Sequence, residues 1–270
     1  MTGQGNRPLI DITRDGHVHT ALCGHAVGEM EDYVRAAAAR GLRSLCFMEH
    51  LEADIRYFKR SWLTDADFDA YFAEGRRLQE KYGDRLEIVL GAEMGINPEA
   101  KDELRRQLAR HPFKRVGLSC HYHPYEGRHC NLLSRGGDNL AELARLDADA
   151  VLTRYFTNLI QAARTFDCAV LCHLDAGMRH VPGIEERMIR HRPLIMTLLE
   201  TLRDRGMALE INTSGFVNRG HPYPADWIIR EALRLGIPLE AGSDAHSPED
   251  VGRYFERLPG YLAGQVRQEF

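Results

Sequence analysis

Asp15-Gly16-His17-Val18-His19-Thr20, followed by His25 in Leu22-Cys23-Gly24-His25-Ala26, is the stretch from which the fold can be read. On an extended strand, side chains two apart share a face about 6.6 Å apart, so His17 and His19 can aim both imidazoles at one ion. The apolar run Leu9 to Ile12 is expected to supply that strand, and the turn at Gly24 to bring His25 back over its end. Three imidazoles then converge.

The same event recurs down the chain. Met30, Tyr33, Val34, Ala37 and Ala38 fall at helical spacing, with Glu29, Glu31 and Asp32 in the first turn and Gly41 as the stop. Arg43 to Met48 reads as a buried strand ending at Glu49-His50. A long amphipathic stripe follows, Phe68, Tyr71, Phe72, Gly75, Leu78 and Tyr82, opened near Asp65 and closed by Gly83. Between them Tyr57, Phe58 and Trp62 read as packed aromatic mass rather than a lid. Leu86 to Ala92 is a third strand, delivering Glu93, and a helix follows from Pro98. Arg115 to Ser119 is a fourth, ending in Cys120-His121-Tyr122-His123, where spacing alone cannot choose between His121 and His123.

Residues 124–146 give no clear pattern. A helix through Val151, Tyr155, Leu159 and Ala162 leads to a fifth strand, Cys168 to Cys172, ending at His173-Leu174-Asp175. Pro193 then marks either a kink or the meeting of two helices. Ala208 to Ile211 is a sixth strand, ending at Asn212-Thr213-Ser214. The helix Asp226 to Leu235 leads to the seventh, Ile237 to Ala241, which ends in Gly242-Ser243-Asp244-Ala245-His246.

Seven strand-then-helix units imply parallel strands with right-handed crossovers. An open sheet would string His, Glu and Asp along a line of strand ends, whereas a closed barrel gathers them on one rim. The expected fold is therefore an α/β, distorted (β/α)7 TIM-like barrel, with 1–270 as one domain, a common length for such folds. The donors are nitrogen and carboxylate oxygen, which suits Zn, Fe or Mn, and they exceed the four that one Zn accepts. Cys120 and Cys172 precede His121 and His173, so strand alternation is expected to turn them to the opposite face as apolar filler.

Composition narrows the partners. A net charge of -4 offers no broad basic field for nucleic acid, although the 35 basic residues, nearly all Arg, leave room for a small anion. No apolar run approaches the ~20 residues of a membrane span. Six cysteines without C-x-x-C spacing, and no apolar signal core at the N-terminus, lead us to expect a cytoplasmic protein with reduced thiols.

Taken together, Asp15-Gly16-His17-Val18-His19-Thr20, Cys23-Gly24-His25, Glu49-His50, Gly91-Ala92-Glu93, Ser119-Cys120-His121-Tyr122, His173-Leu174-Asp175 and Gly242-Ser243-Asp244-Ala245-His246 resemble, in this order, the polymerase and histidinol phosphatase (PHP) superfamily. The resemblance spans nearly the whole chain. Within the superfamily it is most similar to the histidinol-phosphate phosphatases, through His-Thr-x-x-Cys-Gly-His, Asn212-Thr213 and Ser243-Asp244-Ala245-His246. It implies two to three divalent or transition-metal ions: His17, His19, Glu93 and Asp244 around one, Glu93 bridging to a second with His121 and His173, and His25, His50 and His246 at a third. Two positions depart from the pattern. Glu49 stands where the family commonly has Asp, and Ala176-Gly177-Met178-Arg179 replaces the usual sequence after His173.

The implied reaction is hydrolysis of a small phosphate monoester, most like L-histidinol phosphate, by water that the ions activate for in-line attack on phosphorus. Asp244, His246 and Arg179 are the residues assigned to catalysis. Arg179 and His180 are the candidates for gripping phosphate, since a guanidinium fork matches its geometry, and Tyr122 and His123 for shaping the pocket. Another phosphate ester, such as a nucleotide, is the rival substrate, and a non-catalytic metal-binding scaffold the rival class. An amidohydrolase often relies on a modified lysine as metal bridge, and Lys59, Lys81, Lys101 and Lys114 occupy no suitable strand end, Glu93 filling that position instead. Homo-oligomerisation is compatible with the sequence but not specified by it.

Overall fold

The computed structural model describes residues 8–267, so the expected domain, 1–270, extends past them at both ends. The first strand, β1 (Arg14–Val18), runs into the His-x-His motif and ends just before His19, rather than running through Leu9 to Ile12. The correction has a simple cause: Arg14 and Asp15 pair with Ser44 and Leu45, so the ladder begins where a partner strand exists. A 3-10 turn at Ala21–Cys23 ends on Gly24, whose φ of 75° is left-handed backbone that glycine adopts without strain.

From there strand and helix alternate: α1 (Met30–Ala39), β2 (Ser44–Leu51), α2 (Asp65–Tyr82), β3 (Glu87–Gly95), α3 (Lys101–Arg110) and β4 (Arg115–Ser119). Thr64 and Asp67 cap α2 reciprocally, and Gly75 lets that helix lie close on Leu90 of β3. After β4 comes a hairpin of β5 (Tyr122–Tyr125) and β6 (Arg128–Asn131), turning at Glu126 and Gly127, both with positive φ. It continues as α4 (Asn139–Leu143), α5 (Ala148–Thr165), the two-residue β7 (Val170–Leu171), α6 (Ile184–Arg190) and α7 (Arg192–Arg205). Pro193 thus marks two helices meeting, and it sits in the first turn of α7, where its missing N–H costs nothing. The rest is β8 (Ala208–Asn212), α8 (Ser214–Arg219), α9 (Asp226–Arg234), β9 (Leu239–Gly242) and α10 (Leu258–Arg267).

Seven strands form one parallel sheet in the order β1-β2-β3-β4-β7-β8-β9. It nearly closes: the Asp244 amide donates to His17 O at 2.9 Å, and the His19 amide to Ala245 O at 3.0 Å. The expected (β/α)7 barrel is what the chain forms, with the hairpin β5–β6 added outside it. Alternation along the strands separates two cores. Leu45, Phe47, Leu90, Leu171, Leu209 and Ile211 belong to the large core beneath the helices, whereas Cys46, Met48, Val170, Cys172 and Ala208 form a small plug inside the barrel.

Cys172 therefore corrects a second expectation. It remains buried filler, but it faces the barrel interior together with His173, because His173 has φ 25° and breaks the alternation there. Gly117 makes room for it, since a Cβ on Gly117 would lie 2.7 Å from the Cys172 sulfur. Among the described residues no helix is long and apolar enough to cross a membrane.

Candidate metal centre

All nine expected ligands, His17, His19, His25, His50, Glu93, His121, His173, Asp244 and His246, come together at the C-terminal rim of the barrel. Most of them line a cavity of about 530 Å³ there. Glu93, fully buried on β3, is the hub.

On one side, four atoms face a common point. His17 Nε2 lies 3.0 Å from His19 Nε2, 3.5 Å from Glu93 Oε2 and 4.0 Å from Asp244 Oδ1. His19 Nε2 lies 3.8 Å from Glu93 Oε2 and 3.3 Å from Asp244 Oδ1. Donors about 2.0–2.1 Å from a tetrahedral zinc stand roughly 3.3 Å apart, so the four fit one ion with small adjustments. On the other side, Glu93 Oε1 lies 2.6 Å from His173 Nε2 and 3.1 Å from His121 Nε2. A third group sits at the mouth, where His25 Nε2 and His246 Nε2 approach to 2.9 Å. His50 stands between the groups, with its Nδ1 2.9 Å from Glu93 Oε2 and its ring 5.2 Å from that of His25.

The protein alone leaves this cluster unsatisfied. His19 Nδ1 and His173 Nδ1 are buried without a hydrogen-bond partner, a condition that costs about 1–3 kcal/mol per group unless something binds, and His50 Nδ1 and Glu93 Oε2, though 2.9 Å apart, are not aligned into a hydrogen bond either. His17 and Asp244 point the same way. Burial opposes charge on His17, but the Glu210 and Glu93 carboxylates outweigh it and hold its pKa well above the ordinary imidazole range. Burial likewise opposes charge on Asp244, but contact with His19 and the charges of His17 and His246 hold it well down. At the rim, burial and neighbouring imidazoles push His25 down to about 3. A cation binding there would displace the proton held on His17 and would meet Asp244 and His25 already deprotonated. Asp244 also carries φ 52°, backbone strain of the kind that recurs at functional sites.

Two carboxylates that the sequence reading missed complete the arrangement. Glu210 Oε1 accepts from His17 Nδ1 at 2.6 Å, while its Oε2 accepts from the His173 amide at 2.7 Å and from Asn212 Nδ2 at 3.0 Å. Glu52 Oε1 accepts from His121 Nδ1 at 2.6 Å. A carboxylate only accepts, so each fixes the Nδ1 proton and turns the Nε2 lone pair toward the cluster. A glutamate inside the otherwise apolar strand Ala208–Ile211 was the available signal for Glu210. Glu49, the departure from the expected pattern, accepts from the Thr20 amide, and burial raises it to about 8.

The proposed substrate contacts divide. Arg179 reaches the cavity wall, held by Leu133 O at 3.1 Å, and Tyr122 lines the wall with its hydroxyl 2.9 Å from Ser61 Oγ. His123 and His180 do not. His123 is half-buried in the hairpin away from the cavity, which leaves His121 as the member of that pair in the cluster. His180 contacts Leu133 O at 3.0 Å and lines a neighbouring cavity of about 370 Å³. Tyr57, Phe58, Lys59 and Arg253, none expected there, also line the main cavity.

Comparison with known proteins agrees with this geometry. The PHP domain family matches residues 15–214, and a PHP-associated family matches residues 228–260. The "Probable histidinol-phosphatase" of Deinococcus radiodurans is 30% identical over 246 residues, covering 89% of this chain and 89% of that one. The histidinol-phosphatase of Bacillus subtilis is 28% identical over 260 residues, covering 90% and 97%. Among solved structures, a histidinol phosphate phosphatase from Lactococcus lactis, complexed with zinc, L-histidinol and phosphate, superimposes with a TM-score of 0.75 at 22% identity, covering 93% of each chain. A "putative histidinol phosphatase" from Listeria monocytogenes gives 0.79 at 22%, covering 90% of this chain and 99% of that one.

Proposed function

Because the chain belongs to the PHP domain family, we propose that it is a metal-dependent phosphomonoesterase that converts L-histidinol phosphate to L-histidinol and phosphate. The observation that carries this reading is Glu93, whose two oxygens each face a separate set of imidazole nitrogens, as a carboxylate bridging two cations does. Its relatives named histidinol-phosphatases, matched over nearly their full length, supply the substrate.

His17, His19, Glu93 and Asp244 would hold one ion, Glu93 with His121 and His173 a second, and His25, His50 and His246 a third, drawn from Zn, Fe or Mn. Bound there, the ions lower the pKa of water and neutralise charge on the phosphoryl oxygens. The chain supplies the rest. Arg179 presents its guanidinium to the phosphoryl group, with its orientation fixed by Leu133 O. Asp244 and His246, beside the open part of the cavity, are assigned with it to catalysis. Asn212 Nδ2, 3.4 Å from Asp244 Oδ2, keeps that carboxylate's second oxygen from turning away. Tyr57 and Tyr122, with Trp62 packed edge-on to Tyr122, give the cavity one aromatic wall against which a substrate's organic part can pack.

The test is phosphate release by metal-replete protein from L-histidinol phosphate and a panel of sugar, nucleotide and aryl phosphates. Selective turnover of L-histidinol phosphate is expected. Preference for a nucleotide would keep the phosphoesterase and replace the substrate, and no release from any ester would favour a scaffold.

A further inference from the structure

We infer that Glu52 and Glu210 are positioning residues that make two of the three metal positions tight and leave the third, at His25 and His246, exchangeable. The inference rests on reading the cluster as a metal centre, but not on which ester it hydrolyses.

Both carboxylates sit in spaces that side chains elsewhere would fill. A Cβ on Gly95, at the end of β3, would lie 2.0 Å from Glu52 Oε1, and one on Gly242, at the end of β9, would lie 2.1 Å from Glu210 Oε1. Each glutamate is nearly fully buried, at 5% and 2% exposure. Each puts one oxygen 2.6 Å from the Nδ1 of a different imidazole, His121 for Glu52 and His17 for Glu210. Those imidazoles belong to the two groups that share Glu93. A charged acceptor on the far nitrogen fixes the ring and raises the basicity of the near one, which strengthens its bond to a cation.

The third group lacks this support. His25 Nδ1 lies 3.0 Å from Cys23 O and His246 Nδ1 3.0 Å from Asp244 O, so two of its three imidazoles meet neutral carbonyls, and the third, His50, has its Nδ1 2.9 Å from Glu93 Oε2, an oxygen it shares with the first group rather than a carboxylate of its own. His25 is exposed and His246 half-buried, so water reaches both. Cys23 Sγ lies 3.9 Å from His25 Nε2, at the outer limit of a sulfur contact.

The test is release of zinc from fully loaded protein into a chromophoric chelator of increasing strength, with elemental analysis of what stays bound. The wild type should lose one ion at a chelator strength that leaves two. Glu52→Gln and Glu210→Gln, nearly isosteric, should each move one retained ion about 10-fold to 100-fold toward release. His25→Ala should remove only the weak class. Circular dichroism of the metal-free variants checks that each has folded. Gly242→Ala tests the same contact without changing the glutamate, and it should shift zinc release as Glu210→Gln does. Uniform release of all ions by the wild type, or glutamine variants that release as the wild type does, would overturn the inference. A chain that releases zinc in two classes but hydrolyses no phosphate ester would retain it and lose the proposed function.

Discussion

The barrel interior is polar at both ends, but the two ends are balanced in different ways. At the N-terminal end, around a cavity of about 710 Å³, Glu240 pairs with Arg115, and Arg14 reaches Glu87 at 3.1 Å. Acid there meets base within the chain. At the C-terminal end, Glu93, Asp244, Glu52 and Glu210 meet imidazoles, and the cavity's own cations, Lys59, Arg179 and Arg253, stand on its wall rather than at those carboxylates. Buried polar atoms of His19, His50, His173, Glu93 and Tyr57 there make no hydrogen bond. Folding leaves Arg115 Nε so placed at the first end and a cluster of such atoms at the second, which is left for a ligand to complete. Substitutions at the two ends should therefore separate activity from stability.

The largest effect is expected at the hub. Glu93→Gln keeps the shape and removes the charge, so turnover should fall by at least about 100-fold and bound metal should drop below the wild-type content. Stability of the metal-free protein, measured by urea denaturation, should fall only modestly, since the imidazoles that lose the Glu93 charge can shed their protons. A variant that loses stability but keeps its turnover would erase the contrast between the ends.

Arg179→Ala comes next. Losing a charge-assisted contact costs about 1.5 to 3 kcal/mol, on the order of 10-fold to 150-fold in kcat/KM, with metal content intact and inhibition by inorganic phosphate weakened in parallel. Unchanged kinetics would move the anion contact elsewhere on the wall, Arg253 being the next cation to test.

How much of this contrast the sequence discloses follows from where each donor sits. His17, His19, His50, Glu93, His173 and Asp244 were legible because each stands at or just after a strand, and parallel closure sends every strand end to one rim. Glu210 and Glu52 were not. A glutamate in Ala208-Leu209-Glu210-Ile211 becomes a histidine's partner only when the barrel closes and places His17 2.6 Å away. The choice between His121 and His123 had the same limit, since equal spacing on the strand carries no information about which ring turns inward. The hairpin β5–β6 was missed although Glu126-Gly127, both with positive φ, is a turn signal between two short extended runs. Aromatics read as packing mass, Tyr57 and Phe58, line the cavity because the loop after β2 folds over the rim.

At the opposite end, Glu240→Gln should lower stability by at most about 1 kcal/mol, since the Glu240–Arg115 pair is partly exposed and burial already opposes the Glu240 charge. Its kcat/KM for the same ester should stay within about twofold of the wild type. A large kinetic defect would mean that the two ends are coupled through the plug between them. The smallest effect lies outside the barrel, at Glu31, which Lys81, Arg77, Tyr82 and Arg35 contact. These contacts, Lys81 first, hold its pKa below the ordinary range. A depressed carboxylate pKa contributes stability above the unfolded value, about pH 4 to 5, and loses it as pH falls through the folded value. Glu31→Gln should thus unfold slightly more easily at neutral pH, equally with wild type in strong acid, and with a difference that shrinks in salt. A difference that grows as pH falls would contradict that sign.

The central claim, that the rim is completed by more than one cation and then hydrolyses a phosphate monoester, is tested most directly by titrating metal-free protein with zinc while following phosphate release from L-histidinol phosphate. The account predicts negligible rate with one ion per chain and a steep rise as the second binds across Glu93. Full activity without metal, or with a single ion per chain, would contradict it.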